Sequence, residues 1–225
     1  MRSTADVSTS TASSEGPRPG AGHSRPDLSA PVTSARLHLR DSTRLLHEQT
    51  EAAVDLARRV ETREAYARLL QSMLSLFAPL EHRLAGLPWD SSGLDLTPYL
   101  RVDLLRSDLT ALGLDPSLVN DADVPHPETL AEGFGILYVL QGSALGGQVI
   151  ARKAAAALQV REDVTRFFRS DGRPVGPLWR GFVHVLDAYV CTPDRLSHAT
   201  AAATSTFDAF GRTVGATSFA NDGTD

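Results

Sequence analysis

Residues 137–152 read LYVLQGSALGGQVIAR, an apolar helical segment interrupted by Gly142, Gly146 and Gly147. Each glycine inside a helix costs about 1 kcal/mol relative to alanine. The chain therefore keeps its weakest helix formers in its most apolar stretch. Three readings compete. The uncharged run 133–151, with its Gly142-x-x-x-Gly146 spacing, has the length of a membrane span. Two glutamines, a serine and five glycines dilute that run, and no second segment resembles it. Small residues also let two core helices approach closely. Alternatively, the missing Cβ atoms let backbone lie against something flat, and neighbouring glycines permit a bend that opens a pocket. The third reading asks for a partner helix carrying a ligand.

The surrounding sequence is helical. Thr97-Pro98, His126-Pro127-Glu128 and Thr192-Pro193-Asp194 place proline where a first helical turn tolerates it, two of them after a capping threonine. Helices are expected at about 34–59, 62–86, 97–112, 127–158, 174–190 and 193–215. A shorter piece is expected near 161–169, and the loop GLDPSLVNDADVPHP precedes the glycine helix. Alternating period-2 runs are absent, which predicts an all-α domain.

In the first helix Leu39, Thr43, Leu46, His47, Thr50 and Val54 fall on one face of a 3.6-residue period, opposite Asp41, Arg44, Glu48 and Asp55. His47 thus sits on a stripe expected to be buried. Glu51, one turn on, reaches its ring by i,i+4 geometry. A carboxylate accepting from Nδ1–H would leave Nε2 free for a metal, although the same pair serves equally as an ordinary hydrogen bond.

Composition limits the rest. The 225 residues suit one domain with a tail, and a hydrophobic share of 42% is that of an ordinary globular protein. A net charge of -5 gives no support for nucleic-acid binding. Cys191 is the only cysteine, so no intrachain disulfide can form. Lys153 is the only lysine among 22 basic residues, which weakens any inference from the choice of arginine at a given site. Residues 1–34 are rich in Ser, Thr, Pro, Gly and Ala and lack a secretory h-region. A disordered tail, a helical domain over 35–215, a disordered end at 216–225 and a cytoplasmic protein without a membrane span are expected.

LRDSTRLLHEQTE (39–51) together with QGSALGGQV (141–149) resembles the haem oxygenase family, most closely its bacterial, biliverdin-producing branch. LWRGFVHVLDAY and ATSTFDAF look like the family's later helices, so the likeness covers roughly 35–215. The resemblance implies a single-domain multi-helix fold that cleaves haem to biliverdin, releasing CO and ferrous iron, with haem as both cofactor and substrate. It implies O2 and an external electron donor of the ferredoxin or flavodoxin type with its reductase. A biliverdin-using photoreceptor is a candidate consumer of the product.

By the same resemblance, His47 is the proximal iron ligand and Glu51 its hydrogen-bond partner. Gly142, Gly146 and Gly147 form the distal helix, with hydrogen-bond donors near Gly142 and Ser143. Arg40 and Arg180 match basic positions for haem propionates, and Tyr138, Phe207 and Phe210 are candidate pocket residues. Two departures stand out. Ser143 replaces the aspartate of animal members, as in bacterial relatives, and Gln141 replaces a glutamate common in those relatives. The second keeps a non-catalytic haem carrier or sensor open as the alternative. A di-iron bundle is excluded, because no histidine has glutamate three residues before it. No strand precedes the glycines, which excludes a nucleotide fingerprint.

Overall fold

Ser34 starts the first helix: its hydroxyl accepts from the Leu37 N–H at 3.2 Å, while Asp187 accepts from the Arg36 N–H at 2.9 Å. Helix α1 (Ala35–Val54) is thereby tied to α6 (Val175–Tyr189) from its first turn. The computed structural model describes residues 34–55, 58–158 and 164–215. The expected disordered ends, and parts of the helices expected at 34–59 and 161–169, lie outside the described residues. Among those described there are helices, turns and no strand.

Helix α1 stops at Val54 rather than running to 59. Asp55 adopts a left-handed conformation (φ 38°) and its N–H returns to the Glu51 carbonyl. Arg58–Val60 then forms a 3-10 turn that sends the Arg59 side chain inward, where it donates to the Val214 carbonyl. Thr62 caps α2 (Arg63–Ala85) by accepting from the Ala65 N–H at 3.1 Å. Inside α2, Pro79 has no N–H for the Ser75 carbonyl four residues back. That carbonyl instead accepts from the Ala122 N–H at 2.9 Å, which fastens the long loop before the glycine helix onto α2.

The expected helix at 97–112 is split. Thr97–Tyr99 is a 3-10 turn, Leu100 is extended, and α3 covers Val102–Ala111. The cause is distant in sequence. The Glu81 carboxylate accepts from the backbone N–H groups of Arg101 and Val102 at 2.7 and 3.0 Å, so α3 starts where α2 receives it. Helix α4 (Leu130–Leu158) begins three residues later than proline placement predicted. Its start is a capping box: Thr129 Oγ1 accepts from the Glu132 N–H, and Glu132 accepts from the Thr129 N–H at 2.8 Å.

The four-residue α5 (Arg166–Arg169) has no cap of its own; Asp108 of α3 accepts from the N–H groups of Arg166 and Phe167 at 3.0 and 2.9 Å. Helix α7 (Pro193–Phe210) is capped by Thr192 and ends in a π-turn, Gly211–Gly215. Helix α4 is the central helix, packed most extensively on α7 and also on α5, α6 and α2. Its length and mean hydropathy of 1.4 would suit a membrane span, but the apolar window is 61% buried by these neighbours. The closest approach is at Gly135, where a Cβ would lie 2.1 Å from the Ala199 carbonyl oxygen.

Asp108 is fully buried, and that burial pushes its carboxyl up to about 6, against the two backbone donors and Arg166 that hold it down. The unfolded value is about 3.9. The folded chain therefore binds this proton more tightly, so the group's contribution to stability is greatest below about pH 4 and declines as pH rises to about 6. Glu81 is shifted in the same direction, chiefly by burial. Asp108→Asn cannot titrate, and its melting temperature should fall less between pH 4 and 6 than that of the parent. Equal slopes would contradict the assignment.

Candidate functional site

Helix directions set the geometry. On α6, Phe182 lies 6.2 Å from Phe134 and Trp179 lies 5.8 Å from Tyr138, so α6 runs opposite to α4. Asp187 near the end of α6 meets Arg36 at the start of α1. Burial raises the pKa of the Tyr138 hydroxyl, while Arg36, Arg40 and Thr43 lie near enough to it to pull the other way. Helices α1 and α4 therefore run in the same direction and touch at Thr43 and Tyr138. One turn beyond that contact stand His47 on α1 and Gly142 on α4, with Gly146 one turn further.

Past this contact the helices part. A Cβ at Gly142 or Gly146 would meet no heavy atom within 4 Å. Leu145 and Val149 on the same side of α4 are each 47% exposed. On α1 the stripe is buried at Leu39, Thr43 and Val54, but Leu46 and Thr50 are only partly covered and His47 is 55% exposed. The expectation of a buried His47 is thus corrected: neighbours cover the two ends of the stripe and leave its middle as a cleft wall. The His47 ring makes an edge contact with Phe207 of α7, 5.8 Å between centroids. Its Nδ1 lies 3.7 Å from Glu51 Oε2, a charge-pairing distance beyond a direct hydrogen bond. Nε2, across the ring, has no partner among the described residues.

This cleft fits a haem. It offers an imidazole nitrogen on α1 with Phe207 against its ring, two bare turns of backbone on α4 with apolar Leu145 and Val149 beside them, and cationic groups near Tyr138. Arg36 and Arg40 lie near Tyr138, and Arg180 follows Trp179, whose ring contacts Tyr138. Arg40 itself pairs with Asp41 at 2.8 Å, and Arg180 is exposed and folds back towards Gly176.

Two expected site residues, Gly147 and Ser143, face elsewhere, as does Gln141. Gly147 is buried, about 100° around the helix from Gly146, where a Cβ would lie 2.5 Å from the Phe168 carbonyl oxygen. It is a packing glycine for α5. Ser143 Oγ donates to the Leu140 carbonyl at 2.7 Å and accepts from Arg101 at 3.0 Å, so its hydroxyl is engaged behind α4. Gln141 is buried and donates through Nε2 to the Tyr99 carbonyl at 2.9 Å. A carboxylate there would oppose that carbonyl, so the glutamine answers a packing need and carries no information about turnover. Helix α4 runs without a break through all three glycines.

Sequence reading missed the layer behind α4. The Arg101 guanidinium packs against the rings of Phe77 and Phe167, which meet each other edge to face, and donates to the Leu140 carbonyl at 2.5 Å. Burial lowers its pKa to about 10, opposed by Glu81. Arg101 Nε and Ser170 Oγ, both without a protein partner, line a narrow cavity with Gln141, Arg173 and Trp179, a polar setting suited to ordered water. The available signal was charge inside apolar runs, in PLEHRL and YLRVDLL: such groups must find buried partners.

The haem oxygenase family model matches residues 33–216. The chain is 33% identical to a haem oxygenase of Xanthomonas campestris over 149 residues, covering 65% of this chain and 87% of that protein. It is 31% identical to the haem oxygenase PigA of Pseudomonas aeruginosa over 188 residues, covering 80% and 90%. Its fold is similar to that of the NO- and CO-bound haem oxygenase of Neisseria meningitidis, with a TM-score of 0.73, 22% identity and coverage of 85% and 96%. A haem complex of haem oxygenase-1 from Synechocystis shares the fold at a TM-score of 0.68 and 15% identity, covering 81% and 91%. With its helical plan, its cleft and these relatives in agreement, the chain belongs to the haem oxygenase family and is a haem-degrading oxidoreductase.

Proposed function

We propose that haem is held between His47 and the Gly142–Gly146 face of α4 and opened there to biliverdin. The observation that supports this most is the pair of bare turns on α4, placed one and two turns past the Thr43–Tyr138 contact, beside His47 on the parallel helix. When bound, haem supplies both the iron that activates O2 and the ring carbon that is oxidised. His47 binds iron through Nε2, with Nδ1–H directed towards Glu51 so that the neutral tautomer is kept. Gly142 and Gly146 let backbone approach the opposite haem face, and Leu145 and Val149 exclude water from its edge. Tyr138, Arg40 and Arg180, joined by Arg36, receive the propionates at the narrow end.

Catalytic turnover is favoured over a carrier role, because the one residue that suggested lost activity, Gln141, faces Tyr99 rather than the cleft. O2 and an electron donor of the ferredoxin or flavodoxin class complete the reaction, in the cytoplasm. A biliverdin-using photoreceptor is the proposed consumer of the product.

The test is direct. Purified chain loaded with haem is supplied with ferredoxin and its reductase, or with ascorbate. The Soret band should disappear as a biliverdin band grows. A Soret band that survives repeated reductant additions would sink the enzymatic reading.

A further inference from the structure

We infer that Arg101 is a positioning residue for this cleft, tethering the glycine-bearing turn of α4 from behind. The inference rests on the reading of that turn as a haem-facing wall.

The front of this turn cannot be held by packing. Any side chain that pressed on Gly142 from the front would fill the cleft. Restraint must therefore come from the rear, and there α4 is tied at successive positions. Gln141 is bonded to Tyr99, Gly147 packs on Phe168, and Gln148 Nε2 donates to the Arg169 carbonyl at 3.1 Å. Between them stands Arg101. One of its nitrogens, Nη2, donates to both the Leu140 carbonyl and Ser143 Oγ, and Ser143 itself donates to Leu140. These bonds lie at residues 140 and 143, on the turn whose open side is Gly142.

The guanidinium has been brought here at a cost. Arg101 is only 4% exposed, and a charge so placed is less favourable than an apolar side chain of similar volume. Its placement is fixed at both ends. Glu81 takes the backbone N–H groups of Arg101 and Val102, and the edge-to-face pair Phe77–Phe167 packs against the guanidinium. Of these contacts, only the two to Leu140 and Ser143 reach α4. A core residue with no role at the cleft would not need a charged donor aimed at one turn of one helix.

The experiment compares the parent with Arg101→Met, which keeps the space against the rings filled but has no donors, and with Arg101→Lys, which keeps the charge without the planar guanidinium. In the haem-free protein, amide hydrogen exchange across 140–147 should quicken about 10-fold or more in Arg101→Met while α2 keeps its protection. Haem affinity should stay within about threefold while turnover drops about 10-fold, because misplacement of a bound group reduces rate more than binding. Arg101→Lys should resemble Arg101→Met. Unchanged exchange at 140–147, or equal losses of affinity and turnover, would overturn the proposal.

Should Arg101→Met fail to fold, the parent protein still decides. Resolved, slowly exchanging Arg101 Nη protons in nitrogen–proton spectra are expected, and Ser143→Ala should speed their exchange. A freely rotating guanidinium with averaged signals would refute the tether. Exchange in the haem-free chain does not depend on where haem sits, so failure of the cleft reading, seen through His47 variants, is distinguishable from failure of this one.

Discussion

His47→Ala should leave the helical fold and melting temperature almost unchanged while removing the imidazole-ligated haem spectrum. Turnover should fall on the order of 100-fold or more, at or above the range seen when a metal ligand's supporting partner is lost. The small structural cost follows from exposure: the ring is 55% exposed, and its one aromatic contact is the edge-on Phe207. Substitutions at such positions usually cost within about 0.5 kcal/mol. The functional cost follows from chemistry, since haem iron would lose the imidazole nitrogen proposed to bind it. Imidazole added to the medium should enter the space left by the side chain and restore part of the spectrum. A variant with the parent's Soret band and turnover would remove His47 from the site. Glu51→Gln should have the same sign and a smaller effect, about 10-fold, because the 3.7 Å separation makes Glu51 an orienting partner rather than a ligand.

What the sequence made legible was local. The cap at Thr192 was visible because a capping residue and its receiving amide are three residues apart. The His47–Glu51 pair and the Gly142–Gly146 face follow from the 3.6-residue period. What it hid was tertiary. The break at Leu100 depends on Glu81, some 20 residues away in another helix. The end of α1 depends on Arg59 reaching Val214 across most of the chain. The same limit divides the glycines. Gly146 and Gly147 are adjacent and look equivalent in sequence, but one faces open space and the other the Phe168 backbone. Ser143 flanks Gly142 and was read as a cleft donor, yet a helix turns about 100° per residue, so the neighbours of a front-facing glycine point to the flanks. That part of the error was avoidable.

Two glycine substitutions on α4 should therefore have opposite consequences. In Gly135→Ala the new Cβ would lie 2.1 Å from the Ala199 carbonyl oxygen and 2.9 Å from its carbon. These are backbone atoms inside a helix, so α4 and α7 must separate along their largest interface. Overpacking of this kind costs about 3 kcal/mol or more. Alanine's helix propensity returns about 1 kcal/mol, leaving a net loss of about 2. For a chain of this size that lowers the melting temperature by about 4–8 °C. Gly146→Ala gains the same propensity and meets nothing within 4 Å, so it should raise the melting temperature slightly. Gly146→Leu should also remain folded, but its side chain would occupy the space proposed for haem, and haem uptake should be lost. Normal uptake by Gly146→Leu would place the porphyrin elsewhere. A Gly135→Ala protein as stable as the parent would show that the α4–α7 crossing tolerates a wider spacing than its glycine implies. If each substitution behaves as expected, the helix carries two kinds of glycine: one kind brings α7 and α5 close on the buried sides, and the other keeps the open side free for haem.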